Sequence, residues 1–202
     1  MSSFYLDIIK DRLYSTLADS KERRAAQTTM YLVLNTLVKL LAPMTAFTAE
    51  EIWKFMPKLE TENVESVMLT DYPEVNSKYE NAELREKWKK IVDVKELVAK
   101  KLEEARALKT IGHSLNAKVT LYAEKDLYEF LKENKDLLKT VFIISSLEIE
   151  ENERANEVKL GIKVEVASGE KCERCWMYSE EVGKDEEHPT LCHRCADVMK
   201  KL

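Results

Sequence analysis

The sequence predicts a mainly α-helical fold with a smaller α+β part. Apolar side chains recur at helical intervals along most of the chain up to about residue 110, which is typical of amphipathic helices. Only four glycines and four prolines occur in 202 residues, so we expect long helices with few interruptions. Beyond residue 116, short apolar stretches alternate as strands do, around one further helical stretch.

Apolar periodicity predicts the first two helices. One amphipathic helix is expected over residues 4–17. A second, longer helix is expected from residue 20 onward and ends before Pro43, because proline cannot continue the hydrogen-bond ladder. Its apolar stripe comprises Ala25, Thr29, Leu32, Val33, Thr36, Leu37, Leu40 and Leu41.

A capping box predicts the start of the third helix. Thr48 has the place of an N-cap and Glu51 follows it by three residues, which predicts a helix from Ala49 to Pro57. Residues 58–77 are polar and contain Pro73, so we interpret them as an irregular connection.

A long charged helix is expected next, from Lys78 to about Thr110, with Gly112 as its C-cap. The stretches that follow predict a small mixed domain of strands and one helix. In order they are a strand at Ala117–Tyr122, a helix at Lys125–Leu138, and strands at Val141–Ile149 and Lys159–Val166.

Three parts are therefore expected: a helical-bundle portion at 1–76, the long helix with the small α+β domain at 77–166, and a four-cysteine module at 167–202. Three helices of unequal length give the first part a thin core and leave wide apolar faces exposed. We therefore expect the chain to be a fragment, with the missing part packed against those faces.

Composition excludes several classes of function. The chain has 32 Lys and Arg against 37 Asp and Glu, so any contact with nucleic acid must come from local patches. No apolar run has the length of a membrane span and no targeting sequence is recognisable, which favours a cytoplasmic protein without membrane contact. The three histidines have no evident nucleophile or orienting carboxylate nearby, so we expect no catalysis by this chain alone.

The four cysteines have the spacing of a metal site. Cys172 and Cys175 form one CxxC pair, Cys192 and Cys195 form a second, and sixteen residues separate the pairs. Each pair directs two sulfurs to one point, and four thiolates complete a tetrahedral shell. The spacing predicts one structural Zn²⁺ in a zinc knuckle module.

Other interpretations of the cysteines are weaker. Paired disulfides do not suit the reducing cytosol that the composition favours, and a redox CxxC requires a βαβ setting that neither pair has. His188 or His193 could replace a cysteine ligand, but the four thiolates already fill the shell. Iron also suits four thiolates.

Several segments resemble one family of enzymes. LLAPMTAFTAEEIW, at 40–53, resembles the anticodon-binding helical domain of the class I aminoacyl-tRNA synthetases for isoleucine, valine and leucine. The whole chain resembles the bacterial type of isoleucyl-tRNA synthetase, with GEKCERCW as the deciding motif. The segments that carry this resemblance are FYLDIIKDRLY at 4–14, RRAAQTT at 23–29, KLEEARALKTIGHSLNAKVTLYA at 101–123 and GEKCERCW at 169–176.

The resemblance implies the C-terminal tRNA-binding region of such an enzyme. Its partners would be isoleucine tRNA and the catalytic and editing domains of the same polypeptide, which join isoleucine to tRNA with ATP. Thr110–His113 shares three letters with the ATP-binding HIGH signature of the class, but no KMSKS-like sequence accompanies it. Helix capping by Gly112 is the better interpretation.

Anticodon loops are read by aromatic or guanidinium planes and held by cations, which selects candidate residues. In the four-cysteine module these are Arg174, Trp176 and Arg194. Trp176 could instead form the small core of the module, and the two arginines could be solvated side chains. A second basic group comprises Lys10, Arg12, Lys21, Arg23 and Arg24, for which a solvated helix end is the alternative.

Two other functions stay open. A zinc-finger DNA-binding accessory protein is one, because formamidopyrimidine-DNA glycosylases have a similar cysteine pattern, although the chain lacks their N-terminal proline. A zinc-stabilised protein-interaction module is the other, and the net charge of −5 favours it. The salt dependence of binding separates the protein-interaction module from the nucleic-acid-binding functions, because phosphate binding weakens steeply as the salt concentration rises.

Overall fold

The computed structural model describes residues 2–151 and 160–202, in two compact units. The first unit combines the chain up to Leu17 with the chain from Ala82 onward, and the second unit is Ala18–Asn81. The three-part division into 1–76, 77–166 and 167–202 stays a proposal about domains; by packing, the N-terminal segment lies with the α+β part. None of the described helices is long and apolar enough to cross a bilayer.

The N-terminal helix of the first unit is present in two pieces. A π-helical turn spans Ser2–Leu6 and helix α1 spans Lys10–Ser15. Ile8 is buried in the same core as the sheet of this unit, and Phe4 stacks edge-on against Trp88 with ring centroids 6.2 Å apart. These contacts explain why the segment packs with residues that lie far along the chain.

The second unit contains helix α2 (Lys21–Leu41) and helix α3 (Ala46–Phe55). Ser20 caps α2, because its hydroxyl accepts a 3.3 Å hydrogen bond from the Arg23 amide. The predicted end of α2 before Pro43 is confirmed. Residues 58–77 form an irregular connection with short 3₁₀ turns, as expected, at Glu60–Glu62, Val67–Leu69 and Ser77–Tyr79.

The predicted start of α3 at a capping box is wrong. The helix begins three residues earlier, at Ala46, so Thr48 lies inside it. The reason is the tight turn after α2, in which the Thr45 amide donates to the Leu41 carbonyl at 2.8 Å. The chain therefore re-enters helical geometry before it reaches Thr48.

The core of the second unit is small. It consists of Val38, Ala42, Ala49, Trp53, Met56 and Val67. The indole N–H of Trp53 donates to the Val64 carbonyl at 3.1 Å, which fixes the connection against α3. Much of the apolar stripe of α2 faces outward, with 37–44% of the residue exposed at Leu32, Leu37, Leu40 and Leu41. The expectation of a thin core with exposed apolar faces is confirmed.

Helix α4 (Ala82–Ala107) is the longest helix of the first unit. It ends in a Schellman motif in which Lys109 adopts the left-handed conformation (φ 58°) and the Thr110 amide donates to the Ala105 carbonyl at 2.9 Å. The prediction of Gly112 as the C-cap is therefore wrong. A lysine supplies the left-handed residue, and sequence propensity alone would not select it.

The sheet of the first unit has three strands in the order β2-β1-β3. The strands are β1 (Ala117–Ala123), β2 (Ser146–Glu151) and β3 (Leu160–Val166), with β1 parallel to β2 and antiparallel to β3. Helices α5 (Lys125–Glu133) and α6 (Lys135–Phe142) form the crossover between β1 and β2. One face of α4 packs on this layer through Ile91, Val94, Val98 and Leu102.

Two predicted boundaries in this region are wrong. The expected helix at 125–138 is divided at Asn134, and the expected strand at 141–149 starts only at Ser146 because α6 continues to Phe142. In a short apolar run, the spacing of the apolar residues does not distinguish a buried helix from a strand. Lys159, the expected first residue of the last strand, lies outside the described residues.

Candidate metal centre and nucleic-acid interface

The first cysteine pair lies in a short hairpin. Strands β4 (Glu170–Lys171) and β5 (Tyr178–Ser179) pair in antiparallel fashion. Between them the Cys172 amide donates to the Met177 carbonyl at 2.9 Å, and the Trp176 amide donates to the Cys172 carbonyl at 2.8 Å. This turn directs the sulfurs of Cys172 and Cys175 to the same side.

The second cysteine pair lies at the start of helix α7 (His193–Met199). Cys192 is the N-cap residue, and the amides of Cys195 and Ala196 both donate to its carbonyl, at 2.9 and 3.0 Å. The first turn of the helix therefore brings both sulfurs of this pair together. A hairpin and a helix start thus each contribute two ligands.

The four sulfurs form one cluster. All four Sγ atoms lie within 4.8 Å of one another, and those of Cys175 and Cys192 are 3.8 Å apart. Metal–sulfur bonds of about 2.3 Å in a tetrahedron place the sulfurs about 3.8 Å apart. The residues therefore fit a closed tetrahedral site, which has a structural role because it leaves no position for substrate.

Paired disulfides and a histidine ligand do not match this geometry. In the part of the chain that the structure describes, the four thiols are free, and the group of side chains able to hold a metal ion consists of these cysteines without a histidine. Nδ1 of His193 instead lies 3.2 Å from the Asp197 carboxylate, one helical turn away.

Hydrogen bonds inside the cluster shift the pKa values of two thiols. Hydrogen bonds from Cys175, and then from Cys195, lower the pKa of Cys192 to about 3. The hydrogen bond with Cys175, followed by that with Cys192 and by burial, raises the pKa of Cys195. The pKa values of these two thiols are therefore shifted in opposite directions.

Arg174 makes internal contacts beside the cluster. Its Nη1 donates to the Ser15 carbonyl at 2.5 Å and to Sγ of Cys195 at 3.8 Å, and its Nη2 donates to the Tyr14 carbonyl at 3.4 Å. The side chain therefore joins a sulfur of the cluster to the end of α1.

Arg194 also contacts α1. It forms a two-pronged ion pair with Asp11, with distances of 2.6 and 2.7 Å. Burial alone would raise the pKa of Asp11, but the hydrogen bonds from Arg194 and Ser15 lower it below its ordinary value. The same hydrogen bond with Asp11 raises the pKa of Arg194. Arg174 is half-buried, whereas Arg194 is exposed and paired, and contact of either arginine with RNA stays a prediction.

Trp176 projects from the first cysteine pair into solvent. It is 57% exposed and adopts the left-handed conformation (φ 65°), which is rare for a residue with a large side chain. The Lys171 ammonium lies 4.7 Å from its ring centroid. The alternative that Trp176 forms the core of the module is therefore wrong, because that core consists of the cysteines with Val182 and Leu191 around them.

The second basic group is distributed over both units. Lys10 and Arg12 belong to α1, and Lys10 is paired with Asp7 at 2.6 Å. Lys21, Arg23 and Arg24 form the first turn of α2 in the other unit, where Lys21 and Arg24 are exposed and Arg23 is half-buried. Contact of these five residues with RNA stays a prediction.

Sequence reasoning missed three participants of this region. Asp11 pairs with Arg194 across 183 residues, Lys171 covers one face of Trp176, and the buried Ser145 hydroxyl accepts from the Tyr178 amide at 2.7 Å. Spacing along the chain carries no signal for the first and third contacts. Lys171 could have been found from the sequence, because it lies directly beside the first cysteine pair. In the structure it pairs with Tyr178 in the hairpin.

Comparison with known proteins identifies the two parts independently. Residues 1–121 match the family described as the anticodon-binding domain of tRNA ligase, and residues 169–198 match the family described as a zinc finger found in FPG and IleRS. These two matches cover the helical part and the four-cysteine module in the order that the sequence motifs indicated.

Curated relatives agree along the whole chain. The chain is 52% identical to an isoleucine–tRNA ligase of Thermoanaerobacter sp. (strain X514) over 100% of its own length and 22% of the relative. It is 48% identical to the isoleucine–tRNA ligase of Moorella thermoacetica, over 100% of the chain and 23% of the relative. It is also 48% identical to the isoleucine–tRNA ligase of Geobacter sulfurreducens, over 99% of the chain and 22% of the relative. The chain thus spans about a fifth of the length of these relatives. By its match over more than half of its residues, the chain belongs to the family of anticodon-binding domains of tRNA ligases.

Proposed function

We propose that this chain is the C-terminal tRNA-binding part of a cytoplasmic isoleucine–tRNA ligase, and that it binds the anticodon stem-loop of isoleucine tRNA. The family match, the relatives at about 50% identity and the tetrahedral cysteine cluster support this proposal. The catalytic steps with ATP and isoleucine belong to other parts of the polypeptide. The contribution of this chain is to hold and recognise the tRNA.

One observation carries the proposal at the level of residues, namely the exposed indole of Trp176 beside the cysteine cluster. Unpaired anticodon bases stack on aromatic rings, and each stacked base contributes about 1–3 kcal/mol. The hairpin hydrogen bonds hold the backbone of Trp176 in the left-handed conformation, at the turn that carries the first cysteine pair. Lys171 places a positive charge next to the ring, where a phosphate of the same nucleotide would lie.

A single Zn²⁺ on Cys172, Cys175, Cys192 and Cys195 would supply the rigidity of this platform. Zinc bound by four thiolates makes folding of such a short segment favourable, with about 10–16 kcal/mol in comparable peptides. The protein's own residues then do the binding: Trp176 stacks, and the cations Lys10, Arg12, Lys21, Arg23 and Arg24 hold phosphates.

A tRNA titration tests the proposal. We expect the zinc-loaded chain to bind isoleucine tRNA more tightly than a noncognate tRNA, with an affinity that falls steeply between about 50 and 200 mM salt. Trp176→Ala should weaken cognate binding by about 5- to 150-fold, the range of one stacked base. Trp176→Phe, which keeps an aromatic plane, should recover most of the affinity.

Other outcomes favour the other candidates. Tighter binding of duplex DNA than of either tRNA would indicate the DNA-binding accessory function that the FPG-type zinc finger permits. Equal affinity for both tRNAs in every condition would contradict a role in recognition of isoleucine tRNA. The exposed leucines of α2 favour a protein partner as the second candidate, whose binding would be insensitive to salt.

A further inference from the structure

We infer that Arg174 and Arg194 are positioning residues, which fasten the four-cysteine module to helix α1 and thereby present Trp176 and Tyr14 together to RNA. The consequence for RNA binding rests on the proposed function, whereas the attachment itself does not. We name the two arginines with Asp11 and Ser15 the module–helix clamp.

The first half of the clamp caps the end of α1. The last carbonyls of a helix have no partner within the helix and carry partial negative charge, so a cation that binds them is stabilising. Arg174 does this by donating to the carbonyls of Tyr14 and Ser15, and Ser15 is buried at this contact. The planar guanidinium suits such a contact, because it offers several N–H groups in a fixed arrangement.

The same guanidinium connects the helix to the metal site. Its Nη1 lies 3.8 Å from Sγ of Cys195, within hydrogen-bond distance for sulfur. Groups that donate to metal-bound atoms orient the ligands and are sensitive to the state of the site. Any change in the position of Cys195 is therefore transmitted through Arg174 to the end of α1.

The second half of the clamp contacts the same face of α1 from the other cysteine pair. Asp11 precedes Ser15 by four residues, so both lie on one side of the helix. Arg194 binds both carboxylate oxygens of Asp11, a geometry that fixes direction as well as distance. Each cysteine pair thus contributes one arginine, and two separate points of attachment prevent rotation of the module about either one.

A neutral contact joins β5 of the module to the residue just before β2. The hydroxyl of Ser145, just before β2, donates to the Leu115 carbonyl at 2.5 Å and accepts from the Tyr178 amide at 2.7 Å. The module is therefore held at three points within the first unit. This arrangement makes it a fixed part of that unit.

The clamp determines which side chains remain for RNA. Nη1 and Nη2 of both arginines contact α1, so a base or phosphate that took the same N–H groups would have to displace those contacts. By contrast, Trp176 is 57% exposed and Tyr14, whose carbonyl Arg174 binds, is 74% exposed. Tyr14 is thus a second aromatic residue held at the clamp, and it was not a candidate from the sequence.

A charge exchange tests the clamp. Asp11→Arg and Arg194→Asp each place like charges together, and the double variant restores an opposite pair in reversed order. We expect each single variant to retain its zinc, to increase amide hydrogen exchange in residues 11–17 by about 10-fold, and to weaken tRNA binding by a similar factor. The double variant should return both quantities to within about threefold of the parent chain.

Further variants keep the test independent of folding defects. Arg174→Lys keeps the charge but loses the planar arrangement of donors, and should increase exchange at the end of α1 while zinc stays bound. The matched control is Lys200→Asp, which breaks an ion pair with Asp185 inside the module and does not reach α1. It should leave exchange in residues 11–17 unchanged.

The outcomes separate the clamp from the proposed function. Unchanged exchange in residues 11–17 in both single variants would overturn the clamp. Exchange restored in the double variant without restored tRNA affinity would overturn the assignment of Arg194 as a positioning residue, because Arg194 would then contact RNA itself. If the exchange results are as expected and the parent chain binds no tRNA, the clamp stands and the proposed function fails.

Discussion

Cys175 and Cys192, one from each cysteine pair, place their sulfurs 3.8 Å apart although sixteen residues separate them in the chain. This separation is the edge of a tetrahedron around a metal ion with thiolate ligands. We expect one zinc per chain by elemental analysis, and loss of that zinc with unfolding of residues 167–202 in Cys195→Ser. The matched variant His193→Ala should keep its zinc. Zinc loss in that variant would mean that the histidine is a ligand.

The backbone of Trp176 predicts a conflict between stability and binding. A non-glycine residue in the left-handed region costs on the order of 1 kcal/mol, and glycine removes this cost. Because neither variant has the indole, the comparison of Trp176→Gly with Trp176→Ala isolates the backbone. We expect the glycine variant to be the more stable by about 0.5–1 kcal/mol in chemical denaturation, and both to bind tRNA equally weakly. Equal stability of the two variants would show that the turn stores no strain.

The Schellman motif at the end of α4 leads to a similar prediction for a left-handed residue outside the four-cysteine module. Lys109 is exposed and left-handed, and glycine is the residue best suited to this position. Lys109→Gly should increase the free energy of unfolding by about 0.5–1 kcal/mol. The control Lys89→Gly, at an exposed position inside α4, should decrease it by about 1 kcal/mol. Urea denaturation measures both, and a destabilised Lys109→Gly would contradict the assigned cap.

The ion pair between Glu62 and Lys39 gives a pH dependence in the second unit. Hydrogen bonds from Lys39, 2.7 Å away, and from Asn35 lower the pKa of Glu62 below its ordinary value near 4.5. A lowered pKa means that the stabilisation is complete above the pKa of the unfolded chain and is lost as pH falls through the folded pKa. We expect Glu62→Gln to be less stable than the parent by about 0.5–1 kcal/mol at pH 7, and the difference to shrink toward zero below about pH 4.

The measurement for Glu62 needs a signal from the second unit alone. Trp53 is the one tryptophan between Ala18 and Asn81, so its fluorescence reports that unit once Trp88 and Trp176 are replaced by phenylalanine in both proteins. Urea denaturation at pH 7, 5, 4 and 3 then gives the pH profile. A difference that grows on acidification would contradict the assigned direction of the pKa shift.

Local features of the fold were accessible from the sequence, and non-local ones were not. The end of α2 at Pro43 and strand β1 follow from proline chemistry and from alternation over a few residues. The start of α3 was missed because a turn through Thr45 precedes the apparent cap, and the end of α4 because a lysine occupies the position that glycine usually takes. In each case backbone hydrogen bonds at the helix end set the boundary, in place of the residue types that usually mark it.

The candidate site shows the same division. Two CxxC pairs at a suitable spacing identify four ligands, because the chemistry of zinc restricts both residue type and geometry. The sequence also identified Arg174 and Arg194 as candidates, but for contact with RNA. The partner of a positive charge next to a zinc site cannot be found from the sequence when that partner lies far away along the chain. Asp11 and Ser15 become visible only when the chain has folded back on itself.

The contact between Asp11 and Arg194 also sets the order in which the chain can mature. Residue 194 is synthesised 183 residues after residue 11, about 10–40 s later at ordinary rates of translation. Arg174 is synthesised 20 residues before Arg194, so during most of that interval α1 has neither of its arginine partners. A polypeptide released before residue 174 would therefore leave α1 without either of its arginine anchors.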